Sequence, residues 1–310
     1  MTEDPRLVTA YALCARDGLR HYENFPVGSL LLPRSMRKHV AAVYAFARAA
    51  DDFADEGQRS AGERQDLLDG WLERLRRTQS GGMPHPRLRR GEPAHTSAIF
   101  LALGASIRDC SLPIELLEDL LSAFRQDVTV MRYSAWTDLF DYCRRSANPI
   151  GRLVLRISGR RDAQLDAWSD AICTALQLAN FWQDFKVDYD RGRLYLPLEE
   201  QRLHGAREVD LAAASLAPAW QEALVAATVR TRCLFDEGKP LCGAIHGRLR
   251  YELRATWLGG NRILDRLVAV RFDVVNRRPT LGLSDAPWFA WRMLTWTNPR
   301  GPLGYGSPSL

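Results

Sequence analysis

The chain has 310 residues, 46% of them hydrophobic, which is enough apolar material for a sizeable core. It contains no run of 18 apolar residues, which excludes a transmembrane span. The net charge of +5 suits an anionic partner. The basic residues are scattered, however, without a helix-turn-helix, RNP or zinc-finger pattern, so nucleic acid is not an expected partner. No secretory signal is expected, and the cysteines form no C-x-x-C pair, so the sequence predicts a cytoplasmic protein. The sequence does not indicate an oligomeric state.

The N-terminal half has the pattern of apolar helices joined by polar loops. Residues 34–55 are the strongest case, because their apolar side chains recur at core-like helical spacing. The Gly- and Pro-containing stretches 21–33 and 79–93 predict loops, the second of them a mobile surface loop. The predicted helices are 5–19, 34–55, 62–78, 94–110 and 114–127.

The C-terminal half continues the helical pattern. A helix over 135–158 is expected to be interrupted near Ser146–Gly151, where Pro149 removes an internal hydrogen bond. The charged residues 199–211 predict a surface connection. Further helices are predicted over 163–189, 213–236 and 242–275. Since no βαβ alternation and no period-2 strand series occurs, the sequence predicts an all-α protein, with residues 1–310 in a single domain.

An acidic cluster ends the predicted helix 34–55. Asp51, Asp52 and Asp55 stand at i, i+1 and i+4, within about 100° of one helix face. Arg48 lies one turn earlier, where it can pair with a carboxylate or reach a phosphate. Carboxylates at a helix C-terminus oppose the helix dipole, which fits a bound cation better than a purely structural role. The alternative is an exposed acidic helix end.

A second polar stripe lies in the helix predicted over 163–189. Asn180, Asp184 and Asp188 stand at i, i+4 and i+8, one above another, and Gln177 lies one turn earlier. Oxygen ligands in such a stripe are what hard divalent cations such as Mg²⁺ prefer, together with substrate phosphates. Arg191 and Arg193 follow the stripe and can meet a phosphate oxygen. The two clusters together predict a metal-diphosphate site.

The segment Trp288–Trp296 is rich in tryptophan and carries one arginine. Trp-rich amphipathic segments often lie at a membrane interface, so peripheral contact with the inner face of the cytoplasmic membrane is one expectation. A terminal helix packed on the body of the protein is the other. The Gly-, Pro- and Ser-rich residues 302–310 predict a loose end.

The stretches RAADDFAD and NFWQDFKVD resemble the two aspartate-rich motifs of the squalene/phytoene synthase family. The resemblance extends through HYENFPVGSLLLPRSMRKHVAAVYAFAR, YCRRSANPIGRLVL and RGRLYLPLE, in the family's order, over most of residues 20–200. ENFPVGSLLLP, ANPIG and NFWQD are similar to the hopanoid-pathway branch of the family, the hydroxysqualene synthases. The resemblance implies the isoprenoid synthase fold, a helical bundle around a central cavity.

The resemblance also implies roles for individual residues. Catalysis would rest on Arg48 and on four of the aspartates, namely Asp51, Asp55, Asp184 and Asp188. The metal, Mg²⁺ or Mn²⁺, would be held by Asp51, Asp52, Asp55, Asn180, Asp184 and Asp188. Diphosphate would be bound by Arg48, Gln177, Arg193, His21, Asn24 and Tyr44. Gln183 stands where the family usually has an arginine, which removes one positive charge from the site.

For the hydroxysqualene synthase branch, the implied reaction converts presqualene diphosphate and water to hydroxysqualene and diphosphate in squalene and hopanoid biosynthesis, without NADPH. An alternative is the condensing step, in which two farnesyl diphosphates give presqualene diphosphate or squalene, or two geranylgeranyl diphosphates give phytoene. A non-enzymatic alternative is a scaffold or assembly protein that keeps this fold. The intact acidic clusters disfavour that alternative.

Overall fold

The computed structural model describes residues 4–20, 31–80, 87–213 and 215–296. Within these ranges the chain forms fourteen α-helices and two short 3₁₀ turns, and its one strand-like feature is an isolated bridge between Arg132 and Leu194. The all-α prediction is therefore confirmed for this part of the chain. The helices are α1 Pro5–Arg20, α2 Arg34–Asp55, α3 Ala61–Gln79, α4 Thr96–Cys110, α5 Ile114–Asp127, α6 Trp136–Ser146, α7 Asn148–Ile157, α8 Ala163–Gln183, α9 Phe185–Asp190, α10 Leu198–Leu203, α11 Pro218–Gly238, α12 Leu241–Ala244, α13 Arg248–Ala269 and α14 Ala286–Thr295.

Helix α2 has the bounds that its sequence predicts. It starts directly after Pro33, whose extended backbone and missing N–H suit a helix start. It ends before Gly57, which adopts a positive φ of 74°. Thirteen of its residues are buried, because α2 packs against α1, α3, α4, α5 and α7. The acidic cluster is thereby carried on a fully supported helix.

Helix α8 begins at an Asp162 cap, whose carboxylate accepts hydrogen bonds from the backbone N–H groups of Gln164 and Leu165 at 2.8 and 2.9 Å. It packs mainly against α7, α11 and α13. The prediction of one helix over 163–189 is wrong in one respect, because the helix breaks at Asp184 and resumes as α9. The i to i+4 bonding continues across the break, from Asp184 N to Asn180 O and from Asp188 N to Asp184 O, both at 2.8 Å.

Helices α6 and α7 confirm the predicted interruption, since they meet at Ala147. Helix α7 contacts α2, α5 and α8, and therefore lies between the two helices that carry the acidic clusters. Asn148, at its start, is buried and accepts a hydrogen bond from the Thr174 hydroxyl of α8 at 2.9 Å. The break thus contributes a polar tie between α7 and α8.

Three sequence predictions are corrected in the C-terminal half. Residues 199–211, predicted as a surface connection, contain most of α10 and of a 3₁₀ turn. Glu200 in this stretch is buried, and its carboxylate accepts a hydrogen bond from the Trp136 ring N–H at 2.7 Å. The stretch 242–275 is divided at Gly247, which has a φ of 73°, and its long helix ends at Ala269. The helix predicted over 213–236 starts later, at Pro218. The first two changes follow from a side-chain contact and from a turn that periodicity does not report, and the third from Pro218, which suits the first position of a helix.

Parts of both predicted loops lie outside the described residues, namely 21–30 and 81–86. The described end of the second loop contacts α3. Arg74 and Glu92 form an ion pair at 2.7 Å with both side chains almost fully buried, which ties residues 87–93 to α3. Five of the six cysteines are buried or half-buried and Cys233 is exposed, and all six are free thiols.

Helix α14 confirms the expectation of a terminal helix packed on the body. Trp288, Phe289, Met293 and Trp296 pack against the core, and the Trp296 ring stands 5.6 Å from that of Trp257 in α13. The opposite face is uncovered, with Trp291 66% and Leu294 76% exposed. No described helix is long and apolar enough to cross a membrane. The predicted loose end 302–310 lies outside the described residues.

Candidate active site

The first acidic cluster occupies the C-terminal end of α2, as predicted. The Arg48 guanidinium lies 3.3 Å from Asp51, 2.8 Å from Asp52 and 3.2 Å from Glu56. Arg48 is therefore an internal counter-charge of the cluster. The Nε atom of Arg48 is buried without a hydrogen-bond partner, so part of this side chain is desolvated without compensation.

The second cluster straddles the α8–α9 break. The Asn180 amide donates to Asp184 Oδ2 at 2.9 Å, and Arg278 Nε donates to Asp184 Oδ1 at 2.5 Å. Asp188 lies one turn further along, in α9. Because the backbone bonds continue through the break, the three side chains keep the vertical spacing that the sequence indicates. Gln177 is half-buried one turn before Asn180.

Arg193 joins the two clusters. Its backbone N–H donates to the Asp188 carbonyl at 2.8 Å, and its guanidinium donates to both Asp55 oxygens at 2.9 and 2.6 Å. It also donates to the Asp127 carbonyl at 3.3 Å, so the guanidinium links α2, α5 and the segment after α9. Such a bidentate pair fixes geometry as well as charge. The two clusters predicted from sequence therefore form one site.

The site carries more negative charge than its arginines neutralise. Burial, together with the neighbouring carboxylates Asp55 and Asp52, raises the pKa of Asp51 to about 7, although Arg48 opposes the change. Burial and the nearby Asp184 raise the pKa of Asp188 to about 7. A carboxyl that is hard to ionise beside other carboxylates indicates a place where a further cation would be stabilised.

Several residues that sequence reasoning missed belong to this site. Asp127, at the end of α5, is buried, accepts a hydrogen bond from the Tyr142 hydroxyl at 2.9 Å, and has its pKa raised by burial to about 7. Tyr195 stacks on Phe181, with ring centroids 3.7 Å apart. Tyr142 opens the stretch YCRRSANPIGRLVL but was not assigned to the site, and Asp127 stands in none of the quoted motifs, so no local signal marked it. Arg278 was visible only as part of the pair Arg277–Arg278.

An apolar cavity of about 210 Å³ opens at the first cluster. Tyr44, Arg48, Asp51 and Ser146 supply its polar lining, and every other residue lining it is apolar. The apolar walls come from α2, α5 and α7, namely Val40, Val43, Ala47, Leu120, Phe124, Ile150, Leu153, Val154 and Ile157. A mostly apolar lining with Arg48 and Asp51 among its few polar residues suits a ligand with a long apolar part and a charged head group.

The structure locates most of the predicted site residues in this arrangement. Tyr44, Arg48 and Asp51 line the cavity, while Asp52 and Asp55 are held by Arg48 and Arg193. Asn180 and Asp184 are bonded to each other. His21 and Asn24 lie outside the described residues, and their predicted contacts with diphosphate stay predictions.

The helical bundle, its apolar cavity and the paired acidic clusters define a synthase with the isoprenoid synthase fold. The chain belongs to the squalene/phytoene synthase family, whose sequence profile matches residues 19–285. It is thus an enzyme of a family that acts on prenyl diphosphates. These comparisons confirm the family and the fold class predicted from the sequence.

Individual relatives carry different names. The chain is 34% identical to a hydroxysqualene synthase of Rhodopseudomonas palustris over 265 residues, which cover 84% of this chain and 85% of that one. It is 27% identical to a phytoene synthase of Arthrospira platensis, with 87% of each chain covered. Among solved structures, it is similar to the squalene synthase HpnC from Alicyclobacillus acidocaldarius, with a TM-score of 0.78, 37% identity, and 87% of this chain and 97% of that chain covered.

The donor set of the two clusters fits a hard divalent cation in chemistry. It consists of carboxylates and one amide oxygen, the ligands that Mg²⁺ prefers, and it is short of positive charge. In the described part of the chain, however, no three Asp, Glu, His or Cys side chains converge as a ready coordination sphere. Arginines hold Asp52, Asp55 and Asp184 instead. A cation would have to exchange with these guanidinium groups.

Proposed function

We propose that this enzyme is a hydroxysqualene synthase, converting presqualene diphosphate and water to hydroxysqualene and diphosphate. The observation that carries the proposal is the apolar cavity that ends at Arg48 and Asp51, beside a second acidic cluster joined to the first through Arg193. Identity of about one third to a named hydroxysqualene synthase over most of both chains supports this reaction. The proposal extends to a role in squalene and hopanoid biosynthesis.

In this proposal Mg²⁺, or Mn²⁺ in its place, would be held by Asp51, Asp52, Asp55, Asn180, Asp184 and Asp188. When bound, the ion supplies Lewis-acid neutralisation of the departing diphosphate. No nicotinamide cofactor is required by the proposed reaction, because the cation formed from presqualene is captured by water rather than reduced.

The protein's own residues would bind and orient the diphosphate. Arg48 and Arg193 are partly buried cations within the acidic clusters, so they can stabilise the negative charge that develops on the leaving group. Gln177, Tyr44, His21 and Asn24 are proposed as further diphosphate contacts. The apolar wall of α5 and α7 would enclose the hydrocarbon and limit the access of water to its carbocation.

Product analysis by gas chromatography–mass spectrometry tests the reaction. Purified enzyme with Mg²⁺ is given presqualene diphosphate, and separately farnesyl diphosphate, each with and without NADPH. We expect hydroxysqualene from presqualene diphosphate alone, in amounts that do not change with NADPH. Presqualene diphosphate or squalene formed from farnesyl diphosphate would assign the condensing reaction instead, which the named phytoene synthase relatives make the second candidate. A parallel incubation with geranylgeranyl diphosphate tests for phytoene.

We also propose peripheral contact between α14 and an anionic membrane surface. The outward face of α14 consists of exposed apolar residues at helical spacing, Pro287, Ala290, Trp291 and Leu294. Residues 245–296 contain nine arginines and four acidic residues, an excess of five positive charges that equals the net charge of the whole chain. An apolar, tryptophan-bearing face in a basic region suits a lipid interface with negative head groups.

A further inference from the structure

Gln183 is the last residue of α8 and immediately precedes Asp184 of the second acidic cluster. The Gln183 side-chain amide N–H donates to the backbone carbonyl of Pro279 at 2.6 Å. Pro279 is buried and lies 96 positions later in the chain. Gln183 therefore fixes the segment after α13 against the end of α8.

The residue before Pro279 is Arg278, and the anchored segment holds it at the second cluster. Its Nε donates to Asp184 Oδ1 at 2.5 Å. The Arg278 side chain is 50% exposed, whereas that of Asp184 is 20% exposed, so the guanidinium covers the carboxylate from the solvent side. The segment after α13 thus places a positive charge beside Asp184 of the second cluster.

We propose that Arg278 is a diphosphate-binding residue of this enzyme, and that Gln183 positions it through the Pro279 carbonyl. The inference rests on the proposed function only in assigning a diphosphate to the site. A guanidinium presents several N–H donors in a plane, so it can hold a carboxylate in the empty site and phosphate oxygens in the loaded one. When diphosphate binds, Arg278 would release Asp184, because the Asp184 carboxylate is a proposed metal ligand.

A purely structural reading would assign Arg278 to a surface ion pair and Gln183 to a tertiary tie. The two readings differ in one respect. If Gln183 acts by positioning Arg278, its loss should weaken anion binding only while Arg278 is present. If Gln183 merely stabilises the fold, its loss should have the same effect with or without Arg278.

Isothermal titration calorimetry of the full-length enzyme with inorganic pyrophosphate and Mg²⁺ separates these readings. We expect Arg278→Ala to weaken pyrophosphate binding by roughly 10- to 100-fold, the range for losing charge-assisted hydrogen bonds. Arg277→Ala is the matched control, because Arg277 is the adjacent exposed arginine and its described hydrogen bond is through the backbone to Asp273. It should bind within about twofold of the parent, since exposed charges away from the site contribute little.

The Gln183 variants complete a double-mutant cycle. Gln183→Met keeps the length of the side chain but removes the N–H donor, and it should weaken pyrophosphate binding in the parent background. In the Arg278→Ala background the same change should have no further effect. Equal binding by Arg278→Ala and Arg277→Ala would overturn the role of Arg278, and additive effects of the two changes would overturn the positioning role of Gln183. Circular dichroism of each variant confirms that it is folded.

The outcome is separable from that of the proposed reaction. If the parent enzyme makes no hydroxysqualene but its pyrophosphate binding depends on Arg278, the inference stands and the proposed reaction fails. If hydroxysqualene is formed but pyrophosphate binding is indifferent to Arg278, the proposed reaction stands and the inference fails.

Discussion

Arg193 is the residue whose contacts reach furthest across the site. Its guanidinium binds both oxygens of Asp55, and its backbone N–H donates to the Asp188 carbonyl, so this one residue contacts both acidic clusters. Lysine carries the same charge but cannot form the bidentate pair. The geometry of this link therefore depends on the shape of the cation as well as on its charge.

We expect Arg193→Lys to lower kcat/KM by roughly 10- to 100-fold, which corresponds to the loss of charge-assisted hydrogen bonds. Steady-state product formation from presqualene diphosphate measures the effect. Arg207→Lys is the control, because Arg207 is exposed and pairs with its sequence neighbour Asp210 away from the cavity. An Arg193→Lys enzyme as active as the Arg207→Lys enzyme would show that the bidentate link is dispensable.

The buried carboxyl of Asp127 predicts a pH dependence of stability. Its pKa rises to about 7 in the folded protein, against an ordinary value near 4 in the unfolded chain. Between these values the folded state keeps a proton that the unfolded state has lost, so this group's contribution to the free energy of unfolding falls as pH rises through that window.

We therefore expect Asp127→Asn, in the presence of EDTA, to become more stable relative to the parent as pH rises from 5 to 8. The amide oxygen of asparagine can still accept the hydrogen bond from Tyr142. Thermal unfolding followed by circular dichroism at several pH values measures the difference in Tm. A difference that does not change with pH, or that changes in the opposite direction, would contradict the raised pKa.

The acidic clusters also predict how metal affects the parent protein. Because the pKa values of Asp51 and Asp188 are likewise raised to about 7, these carboxyls hold protons at a pH at which ordinary carboxyls are ionised, and a bound cation would have to displace those protons. We expect Mg²⁺ to raise the Tm more at pH 8 than at pH 5.5, because protons compete with the metal at the lower pH. Asp184→Asn should reduce this increase and abolish turnover without loss of helical structure. An equal increase in that variant would remove Asp184 from the metal-binding set.

At the scale of elements, the α6–α7 break lets two helices approach closely. Gly151 lies in the first turns of α7, where a Cβ atom would stand 2.3 Å from Ser169 Oγ and 2.5 Å from Cys173 Sγ of α8. The glycine is thus required by the distance between α7 and α8, and α7 in turn provides much of the cavity wall.

We expect Gly151→Ala to destabilise the protein by about 1–3 kcal/mol, the usual cost of overpacking. Gly243→Ala is the matched control, since a Cβ there meets nothing within 4 Å and the helical backbone of α12 accepts alanine. That change should be neutral or stabilise by up to about 1 kcal/mol. Chemical denaturation of both variants gives the two values, and equal stabilities would show that α7 and α8 can separate at little cost.

At the scale of the whole molecule, residues 245–296 carry an excess of five positive charges, and α14 at their end exposes an apolar face. The uncovered face of α14 predicts that full-length protein co-sediments with vesicles containing anionic lipid, and less with neutral vesicles or at high salt. Trp291→Ser with Leu294→Ser should reduce binding strongly. Leu203→Ser with Val209→Ser is the matched control, because these apolar side chains are 75% and 71% exposed on a different part of the surface.

Equal binding by the two double variants would exclude α14 as the membrane contact. A 1–286 truncation, which removes α14 beyond its first residue, tests the same point independently. If the truncated protein binds as well as the full-length chain, the basic residues of α13 rather than the tryptophan-bearing helix make the contact.

The sequence alone was sufficient to predict the features that depend on residues close together in the chain. The bounds of α2, the break between α6 and α7, and the vertical stripe of Asn180, Asp184 and Asp188 follow from periodicity, proline and spacing, because these act within a few residues. The family, its helical fold and the two acidic clusters were also visible in the sequence. The predicted ligand sets and cofactor stay predictions.

The tertiary structure alone decided how these parts meet. The Arg193–Asp55 pair, the Tyr142–Asp127 hydrogen bond and the contact of Arg278 with Asp184 join residues 138, 15 and 94 positions apart, so no local pattern encodes them. The i to i+4 backbone hydrogen bonds continue across the break at Asp184, so the spacing of the apolar residues does not reveal it. Position 183 shows the difference most clearly, since the resemblance implies the loss of an arginine there, whereas the fold places the Arg278 guanidinium on the neighbouring Asp184.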